Sequence, residues 1–159
     1  MGAPADSTAA GGRYIALRVG SRLCAVPVGL VAETMRPLPV EPLPDAPPFV
    51  LGVSIIRGAP VPVVDVASLL AGPALEPGRF VTVRLGAGRL VALAVEEVIG
   101  VRDLPEEALA GVPPLLGEAG AHVVSSISTL DAEFLLVLRH AHLVPESAWR
   151  ALEDRGGRP

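Results

Sequence analysis

The amino-acid sequence predicts an all-β protein built from two copies of one small barrel. Half of its 159 residues are hydrophobic but only 3% are aromatic, so Val, Leu, Ile and Ala must form the core, and this mixture favours strands. Seventeen prolines exclude long helices and long central strands. A hairpin pattern at 13–28 returns at 79–95, which indicates an internal duplication.

The first hairpin is predicted from two apolar-rich runs, 13–19 and 22–28, that flank a Gly-Ser turn. The second is predicted from 79–85 and 89–95, which flank another glycine-containing turn. Matching positions of the two hairpins and of the strands that follow carry similar residues: Arg13 and Arg79, Tyr14 and Phe80, Arg18 and Arg84, Gly20 and Gly86, Arg22 and Arg89, Val31 and Val98.

The later parts of the two copies also correspond. Residues 62–70 are similar to residues 136–144, and each segment is predicted to be a buried strand that runs into a short turn or helix. We therefore expect subdomain one (13–78) and subdomain two (79–144) to form one barrel each, because a closed barrel has no unpaired edge.

Irregular segments connect these strands. The proline-rich stretch 37–48 predicts an extended surface connection. Residues 72–78 are the expected junction between the copies, and 105–121 is expected to be a long loop with one helical turn.

The C-terminal region predicts a helix over 146–154, opened by Pro145 and followed by a tail to residue 159. Trp149 and Leu152 fall on one face of this helix. We expect that face to pack on the barrels.

Charge and cysteine content limit the classes of partner and compartment. The net charge of −4 argues against nucleic acid, because phosphate binding requires a basic face. Cys24 is the only cysteine, so no internal disulfide can form, which fits a reducing, cytoplasmic compartment. No apolar run approaches the about 20 residues of a membrane helix. Residues 1–12 lack the features of a signal peptide and are expected to be a disordered leader.

The sequence offers no strong catalytic or metal-binding pattern. Hydroxyl, imidazole and carboxylate side chains do occur together in its last third: His122, Ser125, Ser126, Asp131, His140 and His142. The nucleophile-elbow pattern is absent, and nothing arranges these residues as a triad. His140 and His142 share one side of a strand, but no nearby cysteine or acidic cluster completes a zinc site. We therefore predict a non-catalytic protein without a cofactor.

Segment 46–66 differs from the rest because a charged residue stands at the centre of an apolar hairpin. Two apolar strands flank Arg57 and Gly58, and Gly58 supplies the positive φ that tight turns need. Asp65 ends the second strand and can cap a short helical piece over 66–71. Arg57 is expected at the exposed tip, where a charge either improves solubility or contacts a partner.

This segment resembles the CheW family of chemotaxis coupling proteins. The shared pattern is Ala-Pro (46–47), Gly-Val-Ser-Ile-Ile-Arg-Gly (52–58) and Pro-Val-Val-Asp (62–65), with Val-Ala-Glu (31–33) at the family's distance upstream. The likeness extends over 13–145. It implies two packed, five-stranded SH3-like barrels, in agreement with the duplication.

The resemblance also implies a function. CheW-like proteins are adaptors that join methyl-accepting chemoreceptors to the regulatory domain of the CheA histidine kinase, and a second CheW-like protein is a further implied partner. By this likeness, Glu33, Ile55, Arg57 and Gly58 lie on the surface that binds the helical cytoplasmic tip of the receptor. Neither a cofactor nor nucleic acid nor direct membrane insertion is implied.

Four residues depart from the family pattern. Ile55 replaces a common Asn, Ser126 replaces a usual Gly, and Arg139 and His140 replace an acidic residue or Asn. The first is predicted to alter receptor choice, and the others to weaken or redirect the kinase contact. Two alternatives stay open: a CheW-like module that binds receptor without kinase, and an SH3-like barrel that binds RNA or a small ligand. The second alternative predicts a basic or aromatic surface stripe.

Overall fold

The computed structural model describes residues 11–111, 123–139 and 143–156. Within these ranges, ten strands form two five-stranded sheets, which confirms the predicted all-β class with few helices. None of the helices within these ranges is long and apolar enough to cross a membrane. Most of the predicted leader 1–12 and part of the loop 105–121 lie outside the described residues.

The strands divide equally between the two sequence copies. The first copy contributes β1 (Gly12–Val19), β2 (Arg22–Pro27), β3 (Val31–Met35), β4 (Val50–Ile56) and β5 (Ala59–Asp65). The second contributes β6 (Arg79–Arg84), β7 (Leu90–Val95), β8 (Glu97–Leu104), β9 (Val124–Leu130) and β10 (Glu133–Leu138). The helices of the described residues are α1 (Val66–Leu69) and α2 (Glu146–Gly156), with short 3-10 helices at Val28–Leu30 and Glu106–Ala108.

The hairpins predicted from local patterns are all present. Antiparallel pairs form between β1 and β2, between β6 and β7, and between β4 and β5. Asp65 caps α1, as predicted: its carboxylate accepts from the Ala67 N–H at 3.2 Å and from the Ser68 hydroxyl at 2.8 Å.

Each sheet combines strands from both sequence copies. Sheet A has the order β8-β1-β2-β10-β9, and sheet B has the order β3-β6-β7-β5-β4. One pair in each sheet is parallel, β2 with β10 and β5 with β7. The expected division into a barrel from 13–78 and a barrel from 79–144 therefore does not match the strand pairing: sheet B is formed by residues 31–95, and sheet A by the segments on either side.

The connections explain this exchange of strands. If β3 stayed in the sheet of its own copy, it would have to lie on the far side of β1. That position is two strand spacings of about 4.8 Å each from the end of β2. The intervening 3-10 helix Val28–Leu30 advances only about 2 Å per residue. Between β7 and β8 only Glu96 intervenes, and one residue spans about 3.5 Å. At both connections the chain therefore continues into the opposite sheet.

The duplication itself is visible in the pairing. Strands at corresponding places in the two sheets come from corresponding places in the repeat, so that β3 matches β8 and β5 matches β10. Val31 pairs with Val83, and Val98 pairs with Leu17, which is the repeat equivalent of Val83. The sequence repeat thus describes a structural repeat with exchanged partners.

The largest apolar cluster contains residues of both sheets and of α2, while a smaller cluster fills each sheet's own barrel. Helix α2 buries three side chains in the shared cluster: Ala148, Trp149 and Leu152. The Arg89 guanidinium lies 4.8 Å from the Trp149 ring centre and also pairs with Glu146 and Glu153. The predicted packing face of the C-terminal helix is therefore confirmed.

Candidate functional site

The β4–β5 hairpin ends in a two-residue turn formed by Arg57 and Gly58. Both residues have positive φ, 52° for Arg57 and 79° for Gly58, as a type I′ hairpin turn requires. An added Cβ at Gly58 would meet nothing within 4 Å, so this glycine serves the turn conformation and not a close contact. A non-glycine residue with positive φ is uncommon, and here it places Arg57 at the tip of the turn.

Arg57 makes a two-point ion pair with Glu33 of β3. Its Nε donates to Glu33 Oε1 at 2.7 Å, and its Nη2 donates to Oε2 at 3.1 Å. The Arg57 side chain is 79% exposed and that of Glu33 is 31% exposed. The hydrogen bonds from Arg57 hold the pKa of the Glu33 carboxyl below its ordinary value. This fork-like geometry aligns two charges with little freedom, at a place where both reach solvent.

Glu33 is placed by an irregularity in its strand. The register between β3 and β6 shifts between Val31 and Glu33, so one extra residue bulges out of β3. At this point the Thr82 hydroxyl of β6 accepts from the Glu33 N–H at 3.1 Å and donates to the Glu33 carbonyl at 3.2 Å. The acidic member of the pair is therefore held by a strand from the other sequence copy.

Ile55 adds an apolar side chain to this region. It is 63% exposed, although it lies two residues from Val53, which is buried in the shared core. Because alternate residues of a strand face the same side, Ile55 continues that apolar side beyond the end of the core. The structure brings the predicted residues Glu33 and Arg57 into contact, with Ile55 and Gly58 on the same hairpin.

The backbone beneath this hairpin depends on Gly52. Its φ is 145°, and an added Cβ would lie 2.1 Å from the carbonyl oxygen of Glu41. Glu41 and Val53 exchange two backbone hydrogen bonds of 2.8 Å each, so part of the proline-rich connection 37–48 pairs with β4. Only glycine permits this approach.

The equivalent hairpin of sheet A has no arginine at its tip. Its tip consists of Asp131 and Ala132, which also have positive φ values of 49° and 68°. The position that corresponds to Glu33 is occupied by Gly100, the residue paired with Ala16 at the matching register shift. Among the described residues, a fork between a hairpin-tip arginine and a glutamate at a strand bulge is therefore found in sheet B and not at the equivalent place in sheet A.

Sheet A has features that sequence reasoning missed. Phe134 of β10 is 73% exposed and Val101 of β8 is 49% exposed. Residues 133–138 form a nearly continuous apolar run, which gave no signal that Phe134 faces solvent. Arg18 also forms a two-point pair with Glu133, at 2.9 and 3.0 Å, that joins β1 to β10.

Of the departures from the family pattern, Ser126 lies on β9 of sheet A and Arg139 directly follows β10, whereas Ile55 lies on β4 of sheet B. Ser126 is buried, and its Oγ has no hydrogen-bond partner among the described residues. The same holds for Nε of Arg139, whose backbone N–H donates to Val123 O at 2.7 Å. His140 lies outside the described residues.

The residues considered for catalysis do not assemble into a site within the described ranges. Ser125 Oγ donates to the Val137 carbonyl at 3.2 Å and serves the strand pair. The three histidines, His122, His140 and His142, lie outside the described residues. Elsewhere in the described chain, no group of three or more His, Cys, Asp or Glu side chains is placed to hold a metal.

Comparison with known families decides the assignment. The family model for the CheW-like domain matches residues 13–148. The chain belongs to the CheW-like domain family. The resemblance inferred from the motifs is thereby confirmed, and so is the predicted role at the level of the family, an adaptor of a chemotaxis-like signalling system.

Individual relatives agree with the CheW-like assignment. The chain is 28% identical to the chemotaxis protein CheW of Rhizobium meliloti, over 85% of this chain and 89% of the relative. It is 29% identical to the protein FrzA of Myxococcus xanthus, over 87% and 89%. The crystal structure of the scaffolding protein TtCheW from Thermoanaerobacter tengcongensis superposes with a TM-score of 0.70 at 19% identity, covering 80% of this chain and 88% of that protein. This last likeness supports the fold.

Proposed function

We propose that this CheW-like chain couples the cytoplasmic tip of a methyl-accepting chemoreceptor to the regulatory domain of a CheA-type histidine kinase, in the cytoplasm. The observation that carries the proposal is the exposed Arg57–Glu33 fork on the β4–β5 hairpin. It combines a fixed charge pattern with the exposed apolar side chain of Ile55.

This surface suits the side of a helical receptor tip. Amphipathic helices bind through apolar residues at their centre and polar residues along their margins. Ile55 offers the apolar contact. Arg57 uses its Nε and Nη2 toward Glu33, which leaves further guanidinium N–H groups directed to solvent for carbonyl or carboxylate groups of the receptor.

An adaptor needs a second surface, and we propose that it lies on sheet A. Phe134 is the most exposed of the large apolar side chains in the described residues, and buried aromatic anchors dominate the energetics of many interfaces. The kinase domain is the proposed occupant, and a second CheW-like protein is the other expected partner of this surface.

Reconstitution tests the coupling. The purified chain is mixed with a soluble receptor tip and a CheA-type kinase, and size-exclusion chromatography follows which proteins elute together. A complex of all three that depends on the chain supports the proposal. If the receptor alone is retained, the chain is a receptor-binding module without kinase coupling.

That second function has one observation in its favour. Ser126 Oγ on β9 and Arg139 Nε just after β10 have no hydrogen-bond partner among the described residues, and both lie at positions where the chain departs from the family pattern. Restoring glycine with Ser126→Gly is expected to increase kinase retention if Ser126 weakens that contact. Unchanged kinase retention in this variant would show that Ser126 does not weaken kinase binding.

A further inference from the structure

Thr82 stands out as a hydroxyl inside an apolar barrel. It follows Phe80 by two residues on β6, so both face the interior of the sheet B barrel. Its side chain is fully buried. The cluster that surrounds this interior is apolar and includes Ile56 and Ala92. A hydroxyl here loses its hydration, and this loss must be offset by hydrogen bonds.

Both hydrogen bonds of Thr82 go to the backbone of Glu33. The hydroxyl accepts from the Glu33 N–H at 3.1 Å and donates to the Glu33 carbonyl at 3.2 Å. These contacts lie at the bulge, where the strand ladder between β3 and β6 is interrupted. One side chain thus fixes both peptide groups of the residue whose carboxylate pairs with Arg57.

The internal repeat shows that the barrel does not require this hydroxyl. Ala16 occupies the equivalent position in sheet A, beside an equivalent register shift opposite Gly100. Ala16 is fully buried, and its side chain carries no polar group. The hydroxyl is therefore present only in the sheet that carries the Arg57–Glu33 fork, sheet B.

We propose that Thr82 is a positioning residue that orients Glu33 for its fork with Arg57 and thereby sets the affinity of this surface for its partner. The part that concerns affinity rests on the proposed receptor binding. Thr82 belongs to the second sequence copy, so the exchange of strands makes one copy position the binding residues of the other.

Three variants separate positioning from packing. Thr82→Val keeps the shape but removes both hydrogen bonds, Thr82→Ser keeps the hydroxyl, and Ser125→Ala is the matched control. Ser125 donates one part-buried hydrogen bond to Val137 in sheet A, whereas the fork lies on sheet B. NMR titration of the Glu33 carboxyl and the receptor-tip Kd are measured for each variant.

The positioning role predicts a specific pattern. In Thr82→Val the Glu33 pKa rises toward its ordinary value, and the receptor-tip Kd increases about five- to ten-fold, the loss expected for about one net hydrogen bond. Thr82→Ser restores both values, and Ser125→Ala changes neither. In an Arg57→Gln background, Thr82→Val has no further effect on Kd.

The two readouts also distinguish the failure of each claim. An unchanged Glu33 pKa in folded Thr82→Val overturns the positioning role. If the wild-type chain binds no receptor tip, the proposed function fails, while the titration still decides the positioning of Glu33. If Thr82→Val does not fold, Thr82→Ala takes its place with the same expected shifts, since Ala16 shows that alanine fits the equivalent position.

Discussion

At the scale of single residues, Arg57 combines a positive φ, high exposure and a two-point ion pair. Sequence reasoning located Arg57 at a hairpin tip because turn chemistry is local. It identified Glu33 only through family resemblance, since the contact joins residues of separate strands across a bulge. The role of Thr82 had no sequence signal, because a threonine within a strand is common.

Reversing the charge of Arg57 tests the surface directly. Arg57→Glu places two carboxylates opposite each other at an exposed position, so we expect a folded protein whose receptor-tip affinity falls at least about ten-fold, as for loss of a central charged contact. The double variant Glu33→Arg/Arg57→Glu restores an internal ion pair with reversed polarity. Calorimetric binding is expected to stay weak in the double variant; recovery there would show that the pair is structural and makes no receptor contact.

The same pair predicts a pH dependence. The lowered pKa of Glu33 means that the pair stabilises the fold above the unfolded-state carboxyl pKa, and that this contribution is lost as pH falls through the folded-state pKa. The difference in unfolding free energy between wild type and Arg57→Gln, measured with urea, is expected to be constant from about pH 7 to about pH 5 and to shrink toward about pH 3. A difference that persists in acid would contradict the ion pair.

At the scale of elements, the hairpins and caps followed from the sequence because their signals are local. Apolar-rich runs on either side of Gly20 and of Arg57 predicted β1–β2 and β4–β5, and Asp65 predicted the start of α1. The pairing of Glu41 with Val53 was not predicted. A proline-rich connection gives no indication that one of its residues approaches a glycine in a strand.

Glycine substitutions test the geometry of the β4–β5 element. Gly52→Ala is expected to lower the unfolding free energy by at least about 2 kcal/mol, because its Cβ would overlap the Glu41 carbonyl at an unfavourable φ. Gly58→Ala meets no atom and is expected to cost about 1 kcal/mol for its positive φ alone. Gly29→Ala is the control, expected within about 0.5 kcal/mol. If urea unfolding shows that Gly58→Ala lowers the unfolding free energy more than Gly52→Ala, this geometry is contradicted.

At the scale of the whole molecule, the duplication was predictable but its exchange of strands was not. The repeat identifies equivalent strands. Because equivalent strands have similar apolar patterns, the pattern alone does not indicate which copy a strand pairs with. Which copy a strand joins is decided by the short connections at Val28–Leu30 and Glu96. The resulting sheets meet in one shared apolar cluster.

Fragments test this exchange. Residues 13–78 and 79–144 each lack strands of both sheets, so we expect neither fragment to fold alone and the mixture to recover strand structure. Circular dichroism and NMR dispersion of the separate and mixed fragments measure this. Independent folding of either fragment would contradict the observed pairing.

The central claim is that one face of this molecule binds a receptor while another holds a kinase. The most direct measurement is the chromatographic assembly of receptor tip, chain and kinase with two surface variants, Arg57→Glu on sheet B and Phe134→Asp on sheet A. We predict that Arg57→Glu loses the receptor and keeps the kinase, and that Phe134→Asp does the reverse. A folded Arg57→Glu variant that retains the receptor at wild-type affinity would contradict the claim.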